Sequence, residues 1–248
     1  MKEKEIKDFV QTRYASIARG DACGCGDDCC AEGSVNINAL VNYGDLLRDI
    51  VPGADLGLGC GIPTHVAGIK PGDTVLDLGS GAGVDVFLAA KAVGNHGRVI
   101  GVDMTPEMIA KAWDNAVKGG YDNVDFRLGD IEDLPVFSGC VDVVISNCVI
   151  NLVPDKQRVF AEIFRVLKPS GHFTISDMVT YGNVPENIRK DMELWAGCVS
   201  GALDRDEYLE IIRLSGFREI SIKKYSEYDA FKGDDYGIAS ITVEAIKV

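Results

Sequence analysis

The chain has 248 residues, of which 46% are hydrophobic, enough for one sizeable α/β core, and its 38 carboxylates against 25 Lys and Arg leave a net charge of -13. That balance excludes a phosphate-backbone binding surface, which needs clustered cations, so no nucleic-acid partner is expected. No apolar run reaches the length of a membrane span and Met1-Lys-Glu-Lys-Glu5 is too polar to begin a signal peptide, so a cytoplasmic protein with no membrane partner is expected.

In chain order, the apolar positions Ile6, Phe9, Val10, Ile17 and Ala18 predict an amphipathic helix over Ile6–Arg19, either a lid or a surface helix. The next segment, Asp21-Ala-Cys-Gly-Cys-Gly-Asp-Asp-Cys-Cys30, has no periodicity and reads as a loop. A further helix is expected over Leu40–Val51, followed by an irregular connection through Pro52-Gly53 and Gly57-Leu-Gly-Cys-Gly61. From Pro71 onward short β-rich runs alternate with helical ones, the pattern of a parallel sheet with helices on both faces. The strands are expected at Thr74–Leu78, Arg98–Asp103, Val124–Leu128, Val141–Ser146 and His172–Asp177, and the helices at Val84–Val93, Pro106–Lys118 and Asp155–Leu167. Two later runs, Glu219–Tyr225 and Ile238–Lys247, add further strands. The expected division is an N-terminal helical, cysteine-rich segment over 1–69 and an α/β domain over 70–248.

Val75-Leu-Asp-Leu-Gly-Ser-Gly-Ala-Gly83 is a strand running through a glycine-rich turn into a helix, a context that lets backbone approach a ligand. Asp103 ends the next strand, where a carboxylate can accept hydrogen bonds from both hydroxyls of a ribose. Gly79-Ser-Gly81-Ala-Gly83 places its third glycine one residue earlier than the dinucleotide fingerprint does, which serves a pyrophosphate less well. The turn resembles the first motif of class I S-adenosylmethionine-dependent methyltransferases, and Gly129-Asp130-Ile131 resembles their adenine-contacting loop. The resemblance covers about residues 70–180. It implies a Rossmann-like, seven-stranded, mostly parallel sheet with its last strand antiparallel, and S-adenosylmethionine as cofactor. By that resemblance Asp103 and Met104 frame the ribose, and Asp130 and Ile131 meet the adenine. Gly79, Gly81 and Asn147 surround the methionine part, with Asp77, Ser80 and Gly83 completing the turn.

Eight cysteines in a chain with no export signal point first to metal, metalloid or redox chemistry, although Cys140 is expected to be a small buried apolar residue. Cys148 follows the fourth strand, whose carboxyl end faces the cleft of an open α/β sheet. No His or Tyr stands beside it as a general base, so a soft acceptor with its own lone pair is favoured over oxygen or nitrogen. Cys60 and Cys198 fall in glycine-rich loops and are expected to be exposed. Gly57–Pro63, Gly101–Met108, Ser146–Lys156, Arg165–Pro169 and Trp195–Leu203 together resemble arsenite S-adenosylmethionine methyltransferases across nearly the whole chain. That resemblance implies that Cys60, Cys148 and Cys198 handle As(III), with a fourth thiol from the Cys29-Cys30 pair, Cys29 being preferred. It also implies Cys148 and Cys198 as holders of the methylation-competent arsenic, Cys60 with an N-terminal cysteine as a redox pair, and glutathione or thioredoxin as the cytosolic reductant. The substrate that the resemblance implies is arsenite or an arsenic–thiol conjugate.

Two departures from longer relatives stand out: the dense cluster Cys23, Cys25, Cys29 and Cys30, which could add arsenic-capture or zinc sites, and an expected lack of a C-terminal extension. A four-cysteine zinc site there is disfavoured because paired C-x-x-C knuckles are absent. His65, His96 and His172 show no ligand spacing, Trp113 reads as packing, Trp195 as a possible wall of the acceptor site, and Asp85, Glu132 and Asp133 as solvated acids. The competing readings are a methyltransferase of a quinone or sterol carbon and a non-catalytic thiol protein binding arsenic or zinc.

Overall fold

The computed structural model describes residues 3–21, 43–48, 50–186, 200–228, 232–233 and 235–248. Its centre is a seven-stranded sheet of order β3-β2-β1-β4-β5-β7-β6. The strands are β1 Thr74–Leu78, β2 Arg98–Asp103, β3 Val124–Leu128, β4 Val141–Asn147, β5 Leu167–Gly182, β6 Arg218–Tyr228 and β7 Tyr236–Ile246. The first five are parallel, and β7 runs antiparallel to both its neighbours, as the class I resemblance implies. The helices are α1 Glu3–Arg19, α2 Val84–Val93, α3 Pro106–Gly119, α4 Lys156–Val166 and α5 Arg205–Leu214.

Strand residues alternate between the two faces, so each face of the sheet builds its own core. Val75, Val99, Val143 and Ile145 pack with Val86, Phe87 and Ala112 from α2 and α3. Leu76, Leu78, Val102, Val144 and Phe173 pack with Phe160, Ile163, Tyr208 and Ile212 from α4 and α5. A third, smaller cluster joins Ile6 and Val10 of α1 to Cys60, Cys148, Leu152, Met178 and Ile238, and so lies over the carboxyl ends of the strands.

Two elements differ from expectation. In place of a helix over Leu40–Val51, the described part of that span forms a 3-10 turn at Gly44–Leu47. Gly44 has φ 51, outside right-handed helix, and Tyr43 is buried with its hydroxyl bonded to Asp85, so tertiary contact overrides the helical pattern. Strand β5 starts five residues before His172, pairing Leu167 with Val141 before residues 168–171 loop out. Helix α5 was not anticipated, although its cap was readable: the Asp204 side chain accepts the Asp206 N–H, and Tyr208 and Ile212 form a buried i, i+4 pair.

Candidate active site

The chain places β2 and β3 on one side of β1 and then crosses to β4 on the other, so β1 and β4 flank a topological switch point, where open α/β sheets bind ligands. A cleft opens there. Asp77, Gly79, Ser80 and Gly81 line it from the β1 turn, Asp103 and Met104 from the end of β2, Asp130 and Ile131 from the loop after β3, and Asn147 and Cys148 from the end of β4. Nine of the ten residues expected to hold a cofactor thus converge. Gly83 does not: a Cβ there would sit 2.8 Å from Phe87 and 3.0 Å from Phe126, so this glycine serves helix packing. Gly79, with φ 67, is needed at the cleft itself, because a Cβ would lie 2.4 Å from Val149.

Asp103 is fixed by backbone, its two oxygens accepting the Gly81 N–H at 2.9 Å and the Thr105 N–H at 2.8 Å. Burial raises its pKa despite those bonds. Asp77 is pushed well above the usual carboxylate range, by burial first and then by Asp85 and Asp103. Asp85, at the first turn of α2, is raised by burial to about 6 although Asn147, Tyr43 and Thr64 all favour its charged form. It is therefore a buried member of the site, not a solvated acid.

Helix α1 closes the cleft, with Lys7, Val10 and Tyr14 facing it. The Lys7 ammonium donates to Asp130 Oδ2 at 2.6 Å and to Glu132, and the Gln11 amide donates to the Met104 carbonyl at 2.7 Å. The bonds to Asp130 and Glu132 outweigh burial and raise the Lys7 pKa. Of the two readings of this helix, the lid is the one observed. Glu132, expected to be solvated, is buried and also accepts the Asp155 N–H at 3.1 Å, whereas Asp133 is exposed as expected.

The thiols lie at the cleft's edge. Cys60 and Cys148 are joined by a disulfide, with their Cα atoms 5.7 Å apart. Cys60 was expected to be exposed, but it is 5% exposed and Cys148 is 4%. Asn147 is the cause: its Oδ1 accepts the N–H groups of Cys60 at 3.0 Å and Gly61 at 3.1 Å, drawing the Gly59–Gly61 loop inward. Gly61 permits the approach, since a Cβ would meet Ser176 Oγ at 2.3 Å. The Asn147 Nδ2 lies within bonding distance of the Gly61 carbonyl, the Tyr43 hydroxyl and Asp85 Oδ2. Asn147 therefore ties the cleft wall to the Cys60 loop. Cys148 has φ 59, rare for a residue with a side chain, and its N–H donates to the Ser176 carbonyl at 2.8 Å. The partner foreseen for Cys60 was an N-terminal cysteine; the structure pairs it with Cys148.

Cys23, Cys25, Cys29, Cys30, Trp195 and Cys198 lie outside the described residues. Cys140 is free and half-buried, its Sγ donating to the Phe137 carbonyl at 3.0 Å. His172 donates through Nε2 to the Ala67 carbonyl at 2.6 Å, and His65 and His96 are exposed. Trp113 packs edge-on against Phe126 at 5.5 Å while remaining 40% exposed. Among the described residues no helix is long and apolar enough to cross a membrane.

A methyltransferase-domain family profile matches residues 69–216. The arsenite methyltransferase of Halobacterium salinarum is 45% identical over 98% of this chain and 67% of its own length. This chain belongs to the arsenite methyltransferase family. The Homo sapiens arsenite methyltransferase is 36% identical over 88% of this chain, which spans 59% of that relative. The solved arsenic(III) S-adenosylmethionine methyltransferase of Chlamydomonas reinhardtii matches with a TM-score of 0.69 at 38% identity, over 77% of this chain and 68% of that one. The strand order and directions are those of the class I methyltransferase fold, and S-adenosylmethionine is the methyl donor of the family.

The cleft's chemistry fits that donor. Asp103 stands with its carboxylate oriented at the end of β2, and the Ser80 hydroxyl is buried in the cleft wall with no partner among the described residues, a polar atom that a ligand can satisfy. The acids Asp77 and Asp85 at the other end suit a cationic group such as an α-ammonium. Sequence reasoning missed Lys7, Tyr43, Thr64 and the burial of Asp85; only Lys7, on the same helical face as Val10 and Tyr14, left a readable signal.

Proposed function

We propose that this protein transfers methyl groups from S-adenosylmethionine to As(III) held by cysteine thiolates, with Cys148, Cys198 and Cys60 as the arsenic-handling thiols and Cys29 as a fourth. The observation that carries this reading is the meeting of Cys60 and Cys148 at the edge of the donor cleft, two soft ligands brought within bonding distance of each other by separate loops. Trivalent arsenic takes three thiolates in a pyramid and keeps a lone pair directed away from them.

Asp103 and Asp130 orient the nucleoside, α1 excludes water, and Asn147 holds the Cys60 loop against the cleft wall. When bound, S-adenosylmethionine supplies a sulfonium methyl, to which the arsenic lone pair adds while the S–C bonding pair leaves with sulfur. The protein's task is to hold arsenic behind that methyl at near-attack distance, a contribution of position more than of acid–base chemistry. Arsenic becomes formally As(V) as the As–C bond forms. Two coordinating thiolates then return two electrons to arsenic and join as a disulfide. Cys60 and Cys148 are the pair we assign to this step, in place of Cys60 with Cys29, because their backbone already stands at disulfide spacing. A cytosolic dithiol such as thioredoxin, or glutathione, reduces the disulfide and releases the two thiols for a further cycle.

The test is anaerobic turnover with arsenite, glutathione and methyl-labelled S-adenosylmethionine, followed by chromatography of arsenic species. Labelled methylarsenic formed only with active protein is the expected result. Absence of product from protein that binds the donor, with its thiols reduced, overturns the reading.

A further inference from the structure

Asp85 stands in the first turn of α2, where an acid suits the positive end of the helix dipole. An exposed acid would serve the dipole as well, yet Asp85 is 4% exposed and gives up its hydration. Among the described residues its hydrogen bonds all come from side chains outside α2. Oδ2 accepts the Tyr43 hydroxyl at 3.0 Å and the Asn147 amide at 3.1 Å, and the Thr64 hydroxyl reaches Oδ1 at 3.5 Å.

Asn147 ends β4, directly before Cys148. Its Nδ2 faces three acceptors, the Gly61 carbonyl at 2.7 Å, the Tyr43 hydroxyl at 2.9 Å and Asp85 Oδ2. Its Oδ1 faces two donors, the N–H groups of Cys60 at 3.0 Å and Gly61 at 3.1 Å. Turning this amide over would set Oδ1 against a carboxylate and a carbonyl, and Nδ2 against two N–H groups, so only one orientation satisfies the site. Asp85 is an acceptor that selects it, and with it the grip on the Cys60 backbone. Thr64 follows Cys60 by four residues, in the 3-10 turn Pro63–His65, so Asp85 also meets the far end of the same loop directly. Gly59 allows the fit, since a Cβ there would lie 2.7 Å from Asn147 Nδ2.

We propose that Asp85 is a positioning residue for the thiol pair: through the Asn147 amide and Thr64 it holds the Cys60 loop beside Cys148 and favours closure of the two thiols to their disulfide. Closure removes less freedom from a loop that is already held, so the dithiol gives way to the disulfide more readily. Asp85 acts on the loop and makes no bond to either sulfur. The inference rests on the reading of Cys60 and Cys148 as the redox pair.

The test equilibrates the full chain in mixtures of reduced and oxidised glutathione, quenches with acid, and measures the Cys60–Cys148 disulfide by mass spectrometry of the linked peptides. Two protein thiols give two electrons and two protons to glutathione disulfide, whose S–S bond breaks as the Cys60–Cys148 bond forms. Asp85→Ala is expected to lower the equilibrium constant for closure about tenfold, which for a two-electron couple raises the potential by about 30 mV. Asp85→Ser, polar but too short to reach Asn147, is expected to act alike and decides the matter if the Ala variant does not fold. Asp85→Asn keeps an oxygen where Oδ2 stood and is expected to stay within about twofold of wild type. Val93→Ala opens a cavity at the far end of α2, and is expected to lower thermal stability while leaving the potential unchanged. Folded Asp85→Ala or Asp85→Ser with the wild-type potential overturns the proposal, as does a Val93→Ala variant that shifts the potential equally. An Asp85→Asn variant as impaired as Asp85→Ala overturns the hydrogen-bond route. A wild type that forms no Cys60–Cys148 disulfide removes the redox-pair reading and the proposal with it, whereas wild-type closure with unaltered variants removes the proposal alone.

Discussion

Replacing Lys7 by Met removes the ammonium that joins α1 to the loop after β3 while keeping an unbranched apolar stem of similar reach. Lys7 is 26% exposed, Asp130 38% and Glu132 9%, so the two bonds are not equal. The partly exposed bond to Asp130, 2.6 Å long, contributes about 0.5 kcal/mol after solvent screening. The bond to the largely buried Glu132 contributes about 1.5 kcal/mol, the lower end for a charged hydrogen bond, because Glu132 keeps the Asp155 N–H when Lys7 is lost. Loss of about 2 kcal/mol of lid closure corresponds to about thirtyfold weaker S-adenosylmethionine binding. Titration calorimetry at low and high sodium chloride measures this. The wild-type affinity should weaken with salt while the variant, lacking the pair, should show a flatter salt response. A variant with wild-type affinity at both salt concentrations would refute the coupling of α1 to the cofactor.

Cys148→Ser should abolish arsenite methylation while leaving S-adenosylmethionine affinity within about twofold, since the donor cleft keeps all its polar groups; wild-type turnover would remove Cys148 from the mechanism. Gly61→Ala forces a methyl to within 2.4 Å of Ser176 Cβ, so an overpacking loss of about 1–3 kcal/mol is expected by denaturant titration, with slower re-formation of the Cys60–Cys148 disulfide. Asn147→Ala should release the Cys60 loop, seen as faster Cys60 alkylation in the reduced protein. Burial raises Asp85 to about 6 and Asp177 to about 7, so between pH 4 and 7 the folded protein holds protons that the unfolded chain has released. These two groups therefore favour folding most at low pH and lose that contribution as pH rises through 6 to 7, an effect of a few kcal/mol that Asp177→Asn should reduce in melting curves taken from pH 5 to 8.

The strands β1 to β4 were legible almost to the residue because parallel strands buried on both faces read as dense apolar runs between glycine and proline punctuation. The residues that line the cleft were legible for a related reason: they sit at strand ends and in the turns that follow, where glycines and polar side chains interrupt the apolar runs. What failed was anything decided across long sequence separations. The 3-10 turn at Gly44–Leu47 carries a helical pattern but is bent by Tyr43 bonding to Asp85. Cys60 stands between glycines and looks exposed, yet Asn147, 87 residues away, draws its loop inward. Asp85 and Glu132 look like ordinary acids in an acidic chain, and only their buried partners give them work.

Two of those long-range side chains each touch both halves of the site. Asn147 bonds the Cys60 loop through Oδ1 and meets Tyr43 and Asp85 in the cleft wall through Nδ2. Glu132 accepts from the Lys7 ammonium of α1 and from the Asp155 N–H at the N-cap of α4, the helix that follows the turn after Cys148. Closing the lid on a donor and seating the thiols therefore draw on shared hydrogen bonds, and neither can be optimised alone. A reaction that needs arsenic placed directly behind a sulfonium methyl gains from that arrangement. Its barrier depends on the separation of two ligands held by different loops, and an error in either loop is limited by the side chain that grips both.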